Sequence, residues 1–449
     1  MKKLKIIHVF IYSGVLVLGM LSFVFSTKEK ESVIEKRKLA QKPSLTLDGV
    51  LDGTLMHQYQ KFMDDHFPWR SGFVNIAFQL NELKGIKNPN NVRLIAKSKE
   101  KKIDEKKIDL NKAARDVNYL INAESASSHG LLIIAGRAFQ VFGGNKNSVK
   151  SYVDVVNEYR KILPDNVRVF NCIVPTGSSF VFVKEYDYLR EKEFKNIDDA
   201  YAQSSPDVIT VPAKEALVAH QDEYIYFASD HHWTGRGAYY AYTAFCQAAG
   251  LNATSLNKMT RKVKPNFLGT LYNLTKDESI KNNADSVEYF IPPVKTDVKV
   301  FAEYASGGNS YGVFLGGDIA HLKINTSVKN GKSVVIIKNS FGNPFSTYLI
   351  NNYETVHVVD YRYFDSGLLR LIKNEGIDDV IFFHNVFSAN TLSHSERQRI
   401  IKNPLSGGNT TFEKKPESKK SKSDSIKEKS SKNSKNELKK DVQVSDTIH

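Results

Sequence analysis

Three adjacent residues, Asp230-His231-His232, carry the strongest chemical signal in the sequence. A carboxylate beside an imidazole is half of a charge-relay unit. The acid fixes the ring tautomer and steadies the imidazolium that forms when the ring takes a proton. Residues two apart in an extended turn point to one side, so Asp230 and His232 are expected to converge while His231 points away. The pair lacks a nucleophile. Ser340 is the best candidate: it follows the apolar run Ser333-Val-Val-Ile-Ile-Lys338 and stands two residues before Gly342. A serine on a sharp turn between a buried strand and a helix exposes its hydroxyl, and backbone N–H groups can gather round an oxyanion there. The ordinary alternative is a strand-to-helix turn with the serine as N-cap. Ser178 and Ser179, in Pro175-Thr-Gly-Ser-Ser179, are second candidates, set against a plain polar turn after a strand.

These residues need a scaffold. Glu223-Tyr-Ile-Tyr-Phe227 reads as β-like and Ala238 to Ala249 as helical, which puts Asp230 and His232 on a short turn, with Thr234 as N-cap and Trp233 as a packing residue. Leu131 to Ala135 reads as a buried strand, Val149 to Leu163 as a helix and Val167 to Val174 as the next strand. That succession predicts a βαβ unit and a parallel sheet. Ser255 to Ala305 reads as less regular. Within it Phe267-Leu-Gly-Thr-Leu-Tyr272 is either a cleft lining, with Tyr272 a substrate contact, or a loop packed on the core. Strand-like runs Thr355 to Asp360 and Asp379 to Asn385 end in polar residues at the carboxyl edge, where sites form in open α/β sheets. Arg362 is a candidate for holding an anionic or polar group, or for a salt bridge with Asp360 or Asp365. Asn385 is an oxyanion donor or a strand-end turn residue, and His384 packs.

The N-terminus sets Lys2, Lys3 and Lys5 before the charge-free run Ile6 to Ser26. That run is long enough as a helix to cross a bilayer core, so residues 1–27 are expected to be a signal anchor with the bulk of the chain outside the cytoplasm; a cleaved signal peptide is the competitor. Residues 28–112 read as a stalk and a helical region, with the amphipathic stretch Phe73 to Leu83 and a charged insert from Lys97 to Lys112. In Phe62 to Arg70 the residues Asp65, His66 and Arg70 are read as a packing and capping corner around Pro68 rather than a metal or substrate contact. Residues 113–406 form the α/β domain.

From 407 to 449 Lys, Ser, Glu and Asn dominate, a composition that cannot bury enough surface to order itself. Glu413 to Asp441 holds 11 Lys against 6 acids, a local +5 within a net charge of +14. It lacks the aromatic-interleaved basic pattern of nucleic-acid binding, so wall polymers or lipid head groups are the partners charge would attract, against a solvated tail with none. The two cysteines, Cys172 and Cys246, fall in buried elements and are expected to be reduced packing residues, with a lone disulfide as the alternative. Walker A, dinucleotide-binding and Cys-x-x-Cys patterns are absent, so no cofactor is expected. A metal held by Asp230, His231 and His232 is a weaker reading, because adjacent histidines rarely converge on one ion.

Asp230-His-His-Trp233 and Ser340 resemble the DHHW family of bacterial surface proteins and, more distantly, the SGNH-hydrolase-like domains of alginate O-acetylation proteins. Glu35-Lys-Arg-Lys-Leu39, Asp65-His-Phe-Pro68, Val174-Pro-Thr, Gly269-Thr-Leu-Tyr272 and Asp360-Tyr-Arg-Tyr363 add to the resemblance. It implies a flavodoxin-like SGNH fold, a parallel sheet with flanking helices. It also implies Ser340 as nucleophile, His232 as base and Asp230 as orienting acid. The implied reaction is acyl, in the first instance acetyl, transfer to a cell-surface polysaccharide, with a multipass membrane acyltransferase as acyl supplier. The rival from another class is a catalytically silent glycan-binding or scaffold protein of the cell surface.

Overall fold

The structure is a computed structural model. It describes residues 2–26, 28, 31–32, 37–38, 40–46, 50, 53–68, 92–96, 109–117, 128–144 and 146–412. Arg70, the stretch Phe73 to Leu83, most of the charged insert and the tail after 412 lie outside the described residues.

The first helix spans Lys2–Phe25. Among the described residues no helix is long and apolar enough to cross a membrane. A second helix, Thr54–Asp65, ends at His66. In chain order the strands are β1 (Glu31–Ser32), β2 (Arg37–Lys38), β3 (Val92–Ala96), β4 (Ser128–Ile134), β5 (Arg137–Phe142), β6 (Arg168–Val174) and β7 (Val208–Thr210). They continue with β8 (Thr260–Phe267), β9 (Asp285–Ile291), β10 (His321–Asn325), β11 (Ser333–Lys338), β12 (Thr355–Asp360) and β13 (Asp379–Asn385).

The central sheet has the order β10-β12-β11-β13-β6-β7. Its five strands from β12 to β7 are parallel, and β10 joins the edge antiparallel to β12. Every residue of β11 and β13 is buried, and such strands read as unbroken apolar runs because helices cover both faces. Helices Gly235–Ala249 and Gly342–Leu349 pack together on this sheet through Phe245, Phe345, Tyr242 and Tyr348. From β6 the chain moves outward to β7, and from β11 it moves outward to β12 in the other direction. The carboxyl ends of β11, β13 and β6 therefore border the crevice where such sheets bind ligands.

Two sequence readings are corrected here. Leu131 to Ala135 is not the first strand of a βαβ unit. Ala135 and Gly136, at φ 47° and 73°, form a two-residue left-handed turn that reverses the chain into the β4–β5 hairpin. Both strands belong to a separate antiparallel sheet with β3. The helix Lys146–Ile162 then leads to β6, so the parallel units are β6 to β7 and those from β11 onward. Ser255 to Ala305 is also more regular than it reads, since β8 and β9 form an antiparallel ladder. Most of β8 faces solvent, so no apolar alternation marks it, and Pro265 further disguises it as a turn.

His357 of β12 is fully buried, and its Nδ1 lies 3.0 Å from Nε2 of His321 on β10. Burial, then the neighbouring His321, push His357 down to about 4, while Glu375 opposes them; burial lowers His321 as well. Below pH 6.5 the unfolded chain takes up protons that the folded chain refuses, so stability falls as the pH drops from 6.5 towards 4. The His357 contribution is at most ~3 kcal/mol. Thermal unfolding between pH 7.5 and 4.5 is expected to show a falling midpoint, with a shallower slope in His357→Asn. An equal slope in the variant contradicts the assignment.

Candidate active site

Glu223 to Phe227 is not a sheet strand. It makes one isolated bridge, Tyr226 to Trp233, and between them the chain bends sharply through 228–232. The bend is gripped from outside. Buried Asp285, the first residue of β9, accepts from the N–H of Ala228 (2.8 Å), the N–H of Ser229 (2.7 Å) and the Ser229 hydroxyl (2.5 Å). Burial raises the Asp285 carboxyl to about 6, and those N–H groups resist the shift. Thr234 caps the following helix by accepting from the Gly237 N–H, as the sequence predicts.

Asp230 is buried and accepts four hydrogen bonds. Oδ1 receives the His232 N–H (3.0 Å) and lies 2.6 Å from His232 Nδ1. Oδ2 receives the Thr270 N–H (2.8 Å) and hydroxyl (3.0 Å). A carboxylate only accepts, so Nδ1 carries the proton and Nε2 presents its lone pair. Nε2 lies 2.8 Å from Ser340 Oγ. The chain thus brings together Asp230, His232 and Ser340 across a separation of 108 residues. His232 is buried whereas Ser340 is partly exposed, so solvent or substrate reaches the hydroxyl.

Tyr311 holds both partners. Its ring stacks on the His232 imidazole at 4.0 Å and 13°, and its hydroxyl donates to the Ser340 carbonyl at 3.0 Å. Burial, with Asp230 and Asp318 nearby, raises the phenol well above its ordinary value and keeps it a donor. Trp233 Nε1 donates to the Phe341 carbonyl at 2.9 Å, tying the histidine turn to the serine turn.

Ser340 sits where β11 turns into the helix Gly342–Leu349. The turn is tight: a Cβ on Gly342 would stand 2.5 Å from the Lys338 Cβ. The next three N–H groups are used within the turn. Phe341 donates to Asn339 Oδ1, Gly342 to the Asn339 carbonyl and Asn343 to the Ser340 carbonyl. The role of Gly342 is therefore steric, and its N–H is not aimed at an oxyanion. The β11–β13 ladder ends at Lys338 opposite Phe383, and Ser340 and Asn385 each lie two residues further along their chains, at the same carboxyl edge of the sheet. Asn385 Oδ1 caps the Ser388 N–H at 2.8 Å. Among the described residues its amide nitrogen has no hydrogen-bond partner.

The other candidates fall elsewhere. Arg362 is locked in ion pairs with Asp360 (2.7 Å) and Asp318 (2.7 Å), beside Lys338 paired to Asp360 at 3.0 Å. Its Nε and Nη2 donate to these two carboxylates. Asp318 retains 27 % of its side-chain exposure; burial would raise its carboxyl, but Arg362 and Lys338 hold it well below the usual range. Tyr272 follows Thr270 on the helix Thr270–Thr275 and packs partly buried against Leu271 and Ile280. Ser178 and Ser179 are not exposed nucleophiles: both are buried and both hydroxyls donate to Glu193, at 2.6 and 2.8 Å. Burial raises the Glu193 carboxyl against these bonds. His384 packs between Tyr152 and Tyr361. Asp65 and His66 bind the backbone of Ala40, a packing corner. Cys172 and Cys246 are buried free thiols.

His231 does not point away. The turn is bent rather than extended, and the His231 ring lies 3.8 Å from that of His232, with Nδ1 2.5 Å from Thr270 Oγ1. Donor atoms of Asp230, His231 and His232 fall within 4.8 Å of one another, but both Asp230 oxygens already accept from His232 and Thr270.

Sequence reasoning undervalued Gly269 and Thr270 and missed Asp285 and Tyr311. The short motif Gly269-Thr270 was the available signal. A Cβ on Gly269 would stand 2.2 Å from Asp230 Oδ2, so only glycine lets this segment close on the acid.

The family model described as DHHW protein matches residues 118–359. Among solved structures, a DHHW family protein from Eubacterium siraeum aligns at 31 % identity with a TM-score of 0.57, covering 62 % of this chain and 96 % of that one. PatB1 of Bacillus cereus aligns at 18 % identity with a TM-score of 0.50, over 59 % and 98 % of the two chains, a likeness of fold. The O-acetyltransferase domain of Pseudomonas putida AlgJ aligns at 14 % identity with a TM-score of 0.33, over 61 % and 92 %. Comparison with curated proteins returned no match.

Two outcomes follow from this geometry. Gly269→Ala displaces Asp230 and is expected to slow labelling of Ser340 by a fluorophosphonate probe at least ~10-fold, read by intact mass; unchanged labelling contradicts the clamp. Arg362→Met leaves buried Asp360 short of a partner and is expected to cost ~3 kcal/mol in urea unfolding. A cost below ~1 kcal/mol would show that the pair is dispensable.

Proposed function

The chain belongs to the DHHW family, and from that premise we propose that it is an acyl-transfer enzyme acting on a cell-surface polysaccharide through Ser340, His232 and Asp230. One observation carries the reading: Ser340 Oγ lies 2.8 Å from a nitrogen whose ring partner is a carboxylate-bound N–H. The silent-binder reading requires no such contact.

The chemistry is a double displacement. His232 Nε2 takes the Ser340 proton as Oγ attacks the acyl carbonyl. The imidazolium is held by Asp230 on one edge and by the Tyr311 face on its flank. Asn385 Nδ2, at the carboxyl end of the neighbouring strand β13, donates to the oxyanion. Collapse expels the donor's leaving group, which takes the proton from His232, and an ester remains on Ser340. A sugar hydroxyl then gives its proton to His232 and attacks that ester. The second collapse passes the acyl group to the sugar and returns the proton to Ser340 Oγ. With water in place of the sugar the same steps give an esterase. We assign acetyl as the acyl group and a multipass membrane acyltransferase as its source, on the sequence resemblance. Placement outside the cytoplasm, with residues 6–26 as the membrane contact, rests on the lysines before the charge-free run.

Ser340→Ala is expected to lower release of nitrophenol from nitrophenyl acetate by at least ~10³-fold; turnover at the parent rate rejects the nucleophile. Asn385→Asp keeps the cap acceptor for Ser388 and removes the donor. It is expected to lower kcat by ~10²-fold with KM little changed. An unaltered kcat assigns the oxyanion to another group.

A further inference from the structure

The chemistry proposed above leaves His231 unused. Its side chain is 27 % exposed, while those of Asp230 and His232 are almost wholly covered. The His231 ring lies 3.8 Å from the His232 ring, at 38°. Phe341, the residue after Ser340, has its ring 6.0 Å from that of His231 and 5.0 Å from that of His232. Both imidazoles thus border the turn that carries Ser340, and His231 is the more exposed of the two. The turn does not need His231 as a clamp. Asp285 grips Ala228 and Ser229, Trp233 ties the turn to Phe341, and Thr234 caps the helix that follows.

Hydrogen bonding fixes which nitrogen of His231 carries the proton. The Thr270 hydroxyl donates to Asp230 Oδ2 at 3.0 Å, and a carboxylate only accepts. A hydroxyl has one proton, so towards His231 Nδ1, 2.5 Å away, the same oxygen accepts. Nδ1 therefore carries the hydrogen, and in the neutral ring Nε2 carries the lone pair. Asp230 thus orients two imidazoles: Oδ1 holds His232 directly, and Oδ2 holds His231 through Thr270. Both rings take the same tautomer, with Nε2 as the acceptor. His232 Nε2 meets Ser340. A second acceptor nitrogen in the adjoining ring suits a second hydroxyl and not a carbonyl, which has no hydrogen to donate.

We infer that His231 Nε2 binds the acceptor, taking a hydrogen bond from the hydroxyl next to the one that attacks. The inference rests on the acyl transfer proposed above and deepens it: the acceptor is a vicinal diol. Once the acyl group is on Ser340, His232 takes the proton of the attacking hydroxyl. The neighbouring hydroxyl keeps its own proton and donates it in a hydrogen bond to His231. His231 orients the acceptor and takes no part in proton transfer. Adjacent hydroxyls of a sugar ring stand close enough to hydrogen-bond to each other, roughly 3 Å, and the two imidazoles lie at a comparable spacing. Water, with one oxygen, cannot fill both places. His231 therefore favours transfer over hydrolysis, a choice that Ser340, His232 and Asp230 leave open.

The test uses the full chain with nitrophenyl acetate as donor and two competing acceptors at equal concentration, cis-cyclohexane-1,2-diol and cyclohexane-1,4-diol. Both carry two hydroxyls, and only the first has them adjacent. The products are acetate and the two monoesters, and the monoester ratio is read by chromatography. That ratio reports how the acceptors divide one acyl-enzyme, whatever the rate at which the acyl-enzyme forms. The parent chain is expected to favour the 1,2-diol by about fivefold or more, as one net hydrogen bond gives. His231→Asn keeps an N–H for Thr270 and lacks the second nitrogen, and its ratio is expected to fall to near unity. His231→Gln reaches the Nε2 position with an amide oxygen and is expected to restore part of the preference. A purely structural His231 predicts the reverse order, since only Asn preserves the Thr270 contact. Equal use of the two diols by the parent chain, acetate as the sole product, a preference that survives His231→Asn, or the reverse order of the two variants overturns the inference. If His231→Asn does not fold, His231→Ala takes its place with the same expected loss. Failure of the underlying catalytic reading shows separately, as nitrophenol release that persists in Ser340→Ala.

Discussion

The site depends on one carboxylate being held from both sides. Asp230 Oδ1 faces His232 and Oδ2 faces Thr270, so the acid joins the histidine turn to a segment forty residues further along the chain. A buried carboxylate is stable only when its lone pairs are used, and here four donors use them. That satisfaction fixes the plane of the carboxylate. The plane fixes the His232 ring, and the ring aims Nε2 at Ser340. Gly269 makes the approach geometrically feasible, and Asp285 keeps the turn itself from relaxing.

A second constraint acts from the Ser340 side. Lys338, the last residue of β11, is fully buried and would be intolerable unpaired. Asp360, Arg362 and Asp318 complete a charge-balanced cluster around it, just below Ser340. Such clusters add little net stability compared with apolar packing, but removing one member strands the others. The cluster pins the ends of β11 and β12 together, and Tyr311 and Trp233 tie the serine turn to the histidine turn from above. Preorganisation of this kind is what the proposed double displacement requires, since a shift of about 1 Å in the reacting groups costs orders of magnitude in rate.

Much of this was legible from local sequence. Ser333 to Lys338 and Asp379 to Asn385 read as buried strands because unbroken apolar runs have few other uses. Thr234 read as a cap because a side-chain oxygen just ahead of a helix has an N–H to accept from. Errors came where partners are remote. The β4–β5 hairpin was concealed because Ala135 adopts a conformation that its residue type does not advertise. Ser178 and Ser179 looked available until Glu193 arrived from the next helix to accept hydrogen bonds from both hydroxyls. His231 was misplaced because a bent turn does not follow the two-residue alternation of a strand.

By itself the sequence settled the residue types at the site, the α/β class and the family to which the motif belongs, since each is written in short-range order: an acid two residues from an imidazole, a serine at the end of an apolar run. Only the tertiary structure decided which hydroxyl meets the imidazole, that Arg362 is occupied, and that Thr270, Asp285 and Tyr311 serve the site. The reason is physical. Hydrogen bonds and ion pairs reach about 3–4 Å through space whatever the distance along the chain. Nothing local in a sequence records which distant groups folding brings within that reach.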